Sequence, residues 1–218
     1  MGLLVIIYGL PGVGKTTLAN EIESDYGLSK QTSLSTDQMR AELDEMNEFG
    51  KKYVKTPKNR QKIRDKLRQR IEDLLGSGES FVMMQSTFSN NPPESTGQDE
   101  LEKYLEFVNS ESHEYLAIEV VCKDEEKIIQ RINNRPARDN GCGTPNSYLR
   151  HKKLYNLTPP KNYVKLDTSG TLNKAKENLK RQVYPKIDEL LESNRLKDLE
   201  YATSFSKKSS MPYAAQDL

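Results

Sequence analysis

The chain has 218 residues, 34% of them hydrophobic and 30% charged, with a net charge of +1. That suits one globular domain with a real core and some polar decoration. The near-zero net charge gives no bulk argument for a nucleic-acid or membrane partner, and two cysteines, Cys122 and Cys142, are too few for a disulfide framework. The apolar opening from Leu3 to Leu10 is too short to cross a bilayer and lacks a basic leader, so a reducing cytoplasm is the default expectation.

Leu3-Leu4-Val5-Ile6-Ile7-Tyr8 is a continuous β-prone run and predicts a strand buried on both faces of a parallel sheet. A glycine-rich turn follows, then a helix over about residues 15–26. A second strand fits 32–35, with helix formers from Asp37 to about Glu48. Residues 58–75 predict an amphipathic helix carrying Ile63, Leu67, Ile71, Leu74 and Leu75 on one face, ended at Gly76-Ser77-Gly78.

Phe81 to Met84 reads as a third strand, about 99–108 as a helix, and Leu116 to Val121 as a fourth strand. A helix with Ile128, Ile129 and Ile132 breaks at Arg135-Pro136 into a Gly/Pro loop. A short helix near 147–157, a fifth strand over 163–166 and a last helix through Leu179, Val183, Ile187, Leu190 and Leu191 complete the pattern. Strands alternating with helices predict an α/β fold with a mainly parallel five-stranded sheet. The folded domain is expected over 1–193, and the Ser- and Lys-rich stretch 194–218 is expected to be a mobile tail.

Gly9-Leu10-Pro11-Gly12-Val13-Gly14-Lys15-Thr16 matches the phosphate-loop (P-loop) pattern in full, after a strand and before a helix. Gly9, Gly12 and Gly14 let the backbone of the loop, Val13 included, turn its N–H groups inward as a nest for phosphate oxygens. The helix that follows, starting with Lys15, Thr16 and Thr17, aims its positive end at the same place. Lys15 adds a point charge for the β- and γ-phosphates, and the Thr16 hydroxyl is a hard oxygen suited to Mg²⁺. ATP and Mg²⁺ are the expected ligands.

Ser35-Thr36-Asp37-Gln38-Met39-Arg40 falls where strand two meets a helix, at the crevice end of a parallel sheet. Asp37 there can take a proton from an attacking hydroxyl or help place Mg²⁺. Arg40 shares its helical face and can hold an acceptor or a phosphate. The plainer reading makes Thr36 or Asp37 a helix N-cap. Arg131, Arg135 and Arg138 run across a helix end into the Gly/Pro loop, which predicts an arginine-bearing lid over about 131–145. Such a lid neutralises charge that develops on the transferring phosphoryl group. The alternative is a solvated helix end with favourable C-terminal charge.

These three elements together resemble one family of small P-loop kinases, which includes the kinase module of phage polynucleotide kinase and seryl-tRNA kinases. The resemblance spans about residues 1–193 and rests most on Gly9 to Thr16. It implies a three-layer P-loop sandwich with helices on both sides of the sheet. It also implies Asp37 as general base, Arg40 as positioner of the acceptor, and lid arginines that contact ATP or the moving phosphate. One departure stands out: relatives carry an acidic residue at the end of strand three, where this chain reads Gln85-Ser86-Thr87. Magnesium placement then leans on Thr16, water and Asp37.

From Lys51 to Arg70 the chain has ten basic residues and one acid, with Arg60, Arg64 and Arg68 in one helical row. An RNA or DNA end as acceptor, gripped by this segment, is the sharper reading, and a solvated helix face is the plainer one. The expected activity is transfer of the γ-phosphoryl group of ATP to a hydroxyl, on a nucleic-acid 5′ end or nucleotide. A small metabolite is the rival acceptor, and a nucleotide-dependent switch with slow hydrolysis is the rival class.

Overall fold

The computed structural model describes residues 1–46, 56–88, 97–135 and 144–209, with side chains to residue 202. A five-stranded parallel sheet runs in the order β2-β3-β1-β4-β5, built from β1 (Leu3–Tyr8), β2 (Ser33–Ser35), β3 (Phe81–Ser86), β4 (Glu114–Val121) and β5 (Tyr163–Asp167). The chain moves outward from β1 to β2, returns to β3 beside β1, then crosses to β4 on the other side. The order therefore reverses at β1, and ligands of such sheets bind outside the strand ends at that reversal.

Every residue of β1 is buried, because helices cover both faces. Leu3, Val5 and Ile7 pack with α1 (Lys15–Asp25), α5 (Glu125–Asn133), α6 (Pro145–Leu154), α7 (Leu172–Gln182) and the start of α8 (Tyr184–Ser209). Leu4, Ile6 and Tyr8 pack with α2 (Thr36–Glu45), α3 (Pro57–Gly76) and α4 (Gly97–Ser110). The expected apolar stripe of α3 is the buried one: Ile63, Leu67, Ile71 and Leu75. Its start is set by Thr56, whose side chain accepts from the Asn59 amide, and by Pro57 in the first turn. Leu67 is fully buried. Leu67→Ala is expected to cost about 2–5 kcal/mol of stability, read as a lower urea midpoint at unchanged slope.

The last predicted helix is two helices. Val183 ends α7 and Pro185 lies in the first turn of α8, where a missing N–H does no harm but continuation from α7 would lose a bond. The helix also continues past residue 194 to Ser209, beyond the point where the sequence loses its periodicity. Periodicity fades because little of this stretch is buried: Leu196, Leu199 and Tyr201 are exposed, so no stripe is required there. Asn194 is still buried, and Lys197 pairs with Glu114. Tyr26 donates to Asp188 and Tyr184 donates to Asp25, both at 2.8 Å, which clasps α8 to α1.

At the opposite end of the sheet from the P-loop, the Gly2 amide donates to Nδ1 of His113 at 3.0 Å. Burial, with the chain's α-amino group second, holds the His113 imidazole below its ordinary value. A depressed folded value means that protonation opposes the fold. This contribution is full above the unfolded value of about 6.5 and is lost as pH falls through the folded one. Thermal midpoints are expected to fall more steeply below about pH 6.5 in wild type than in His113→Gln.

Candidate active site

The P-loop joins β1 to α1 at the reversal point. A Cβ on Gly9 would lie 2.3 Å from the Val120 carbonyl oxygen, so the loop passes β4 too closely for any side chain. Gly14 has φ +103 and begins α1 with no side-chain cap. Among the described residues no side chain caps the first N–H groups of α1, which is the condition for an anion site. Gly12 and Val13 are buried in the loop, while Thr16 and Thr17 are exposed at its helical end.

Lys15 folds back over the loop, with Nζ 2.9 Å from both the Gly9 and Leu10 carbonyl oxygens. Burial, with Arg135 adding to it and Asp37 opposing, pulls its ammonium from an ordinary 10.5 down to about 7. Arg135 is exposed just beyond α5, and Arg138 lies outside the described residues.

Ser35, not Thr36 or Asp37, caps α2, accepting from the Gln38 amide. Asp37 is released from that task and pairs with Arg40 at 2.7 Å, its side chain half exposed at the helix start. At the end of β3, Gln85 accepts a hydrogen bond from the Thr16 hydroxyl at 3.0 Å. Two hard oxygens, Thr16 Oγ1 and Gln85 Oε1, therefore meet at the start of α1. Among the described residues no cluster of three His, Cys, Asp or Glu side chains could hold a metal by itself. The donor set fits an ion that arrives with phosphate oxygens. Gln85 also lines a cleft of about 620 Å³ between α1 and the β2–α2 unit, with Asn20, Glu23, Lys30, Ser33 and Gln38.

Arg131 is taken up elsewhere in the site. It donates to the Thr168 carbonyl at 2.8 Å and to its hydroxyl at 3.2 Å, with the Val13 carbonyl at 3.5 Å. Thr168 had no place in the sequence reading. Its signal was the polar run Asp167-Thr168-Ser169-Gly170 directly after an apolar strand, a position that faces the crevice. Phe88 was also missed: it stands just beyond β3 at φ 44, edge-on to Tyr8 and Tyr104. A bulky residue held in the left-handed region marks a place where surrounding packing over-rides local strain.

Two arginines of the α3 row have acidic partners. Arg64 lies 3.7 Å from the buried Glu100 of α4, and Arg68 pairs with Asp65 at 2.8 Å and Glu72 at 3.8 Å. Residues 51–55 of the basic segment lie outside the described residues.

An uncapped P-loop at the reversal of a parallel five-stranded sheet, with Lys15, Thr16, Asp37 and Arg135 around it, defines a P-loop kinase-like fold. The chain belongs to the AAA domain family, whose family model matches residues 4–149. No curated protein matches it in sequence. Solved structures share the fold at low identity. A sugar kinase from Janibacter sp. HTCC2649 is 16% identical with a TM-score of 0.54, over 86% of this chain and 98% of that one. A gluconokinase from Sinorhizobium meliloti 1021 is 14% identical with a TM-score of 0.52, over 86% and 97%. The Mycobacterium tuberculosis APS kinase, solved with AMPPNP and APS, is 14% identical with a TM-score of 0.50, over 82% and 96%. Among the described residues no helix is long and apolar enough to cross a membrane.

Proposed function

We propose that this chain is an ATP-dependent phosphotransferase that moves the γ-phosphoryl group onto a hydroxyl of a small polar molecule. The observation that carries the reading is the P-loop itself: α1 starts without a side-chain cap, Lys15 folds over the loop carbonyls, and the Thr16 hydroxyl meets Gln85 at the end of β3. Lys15 leaves the Gly9 and Leu10 carbonyls for the phosphates, Asp37 takes the proton of the attacking hydroxyl, and Arg40 holds the carboxylate in place. Arg135, with Arg138, neutralises charge on the phosphoryl group in flight. Magnesium held by Thr16 and Gln85, with Asp37 close by, would supply charge neutralisation between the phosphates.

A small acceptor is favoured over a nucleic-acid end for two reasons. Two of the α3 arginines that would grip a polyanion are already paired, Arg64 with Glu100 and Arg68 with Asp65 and Glu72. The cleft beside Gln85 has the size of a metabolite site, about 620 Å³. The sugar and gluconate kinases that share the fold are consistent with that choice.

Transfer from γ-labelled ATP to a panel of sugars, sugar acids, nucleosides, transfer RNA and 5′-hydroxyl oligonucleotides tests it. Label on a small molecule is the expected result. Label on an oligonucleotide would restore Lys51–Arg70 as the acceptor grip, and label released only as free phosphate would replace the kinase by a slow hydrolytic switch.

A further inference from the structure

The loop after β5 reaches the backbone of the P-loop. Thr168 is 3% exposed, with its hydroxyl oxygen 2.6 Å from the Val13 carbonyl and 3.2 Å from the Val121 carbonyl. Its own amide donates to Val121, which pins it to the end of β4. Arg131 holds it from another side, through both its carbonyl and its hydroxyl. Guanidinium can only donate, so Arg131 occupies a lone pair of Oγ1 and leaves the single hydroxyl proton for a carbonyl. The shorter contact directs that proton to Val13.

Peptide geometry turns this bond into a statement about the site. In a trans peptide the C=O of one residue and the N–H of the next point in opposite directions. A hydroxyl that holds the Val13 carbonyl toward β5 turns the Gly14 N–H away from β5, into the nest. Gly14 is also the left-handed residue that opens α1. Thr168 lies close enough that a Cβ on Gly14 would meet its Cγ2 and Oγ1 at 3.8 Å.

We infer that Thr168 is a positioning residue for nucleotide binding: it sets the Val13–Gly14 peptide so that the Gly14 N–H donates to the β-phosphate, and Arg131 supports it through Thr168 and through its own longer 3.5 Å contact with the Val13 carbonyl. The inference rests on the nucleotide-binding reading of the P-loop. It assigns Arg131 a part in building the nest, separate from any contact with the moving phosphoryl group.

Calorimetric titration of wild type, Thr168→Ser and Thr168→Val with AMP, ADP and a non-hydrolysable ATP analogue tests it. Thr168→Val is expected to raise Kd about tenfold for ADP and the analogue, the worth of one hydrogen bond to a charged group, and less than about twofold for AMP. Thr168→Ser is expected to keep all three within about twofold of wild type, because it retains the hydroxyl. Equal losses for AMP and ADP, no loss at all, or a serine variant that behaves like valine would overturn the inference. If Thr168→Val does not fold, Thr168→Ala carries the same comparison. The Gly14 amide of wild type gives a reading with no substitution: its proton signal is expected to move downfield with ADP but not with AMP, and an unmoved signal overturns the inference. Wild type that binds neither ADP nor the analogue would instead overturn the nucleotide reading, and this inference with it.

Discussion

Asp37→Asn is expected to lower kcat by about 10²–10⁴, the share of a rate that a positioned general base supplies, or about 3–5 kcal/mol of barrier. Asparagine keeps the size of the side chain and can still accept from Arg40, so α2 should fold unchanged. Its cap belongs to Ser35, which the substitution does not touch. What is lost is a group that can take a proton. Binding of ATP should change little, since the loop backbone and Lys15 hold the phosphates. Single-turnover transfer and calorimetric ATP affinity, measured together, separate the two effects. An unchanged kcat would reduce Asp37 to one half of a surface ion pair with Arg40, which by itself contributes little.

Lys15→Met should weaken ATP binding and abolish transfer, a loss of about 10²–10³ or more in kcat/KM for removal of one preorganised charge. The wild-type lysine carries a second signature. With the ammonium pulled down to about 7, much of it is neutral at pH 7.5 before ATP binds. Phosphates placed beside it favour the charged form, so binding should take up protons. Calorimetry in two buffers of different ionisation enthalpy reads that uptake, which should vanish in Lys15→Met. Binding without proton uptake in wild type would mean that Lys15 is already charged in the free protein. The linked effect on stability has a definite sign. A lysine whose folded value is depressed contributes fully above its unfolded value of about 10.4, and that contribution is lost as pH falls toward 7.

The strand–loop–helix that carries the P-loop was legible because its causes are local. An apolar run, three glycines and a lysine lie within the thirteen residues from Leu3 to Lys15, and each has one geometric use. The α3 stripe was legible for the same reason, as periodicity needs no knowledge of the partner. The boundary of α8 was not, because an exposed helix has no stripe to read. The cap at β2–α2 was read from sequence as Thr36 or Asp37 and is Ser35, since all three residue types are good caps and their order along the chain does not choose among them. Backbone geometry alone selects Ser35.

The sequence by itself determined that a phosphate nest follows a buried parallel strand, because a short contiguous motif dictates both the turn and its chemistry. Only the tertiary structure decided where the arginines are used. Arg131 meets Thr168 and Val13 across 37 and 118 residues of chain, and Arg64 approaches Glu100 across a helix–helix packing. Spacing along the chain can place a guanidinium on a helix face, but whether a phosphate, a threonine or a glutamate lies opposite depends on which elements the fold packs together.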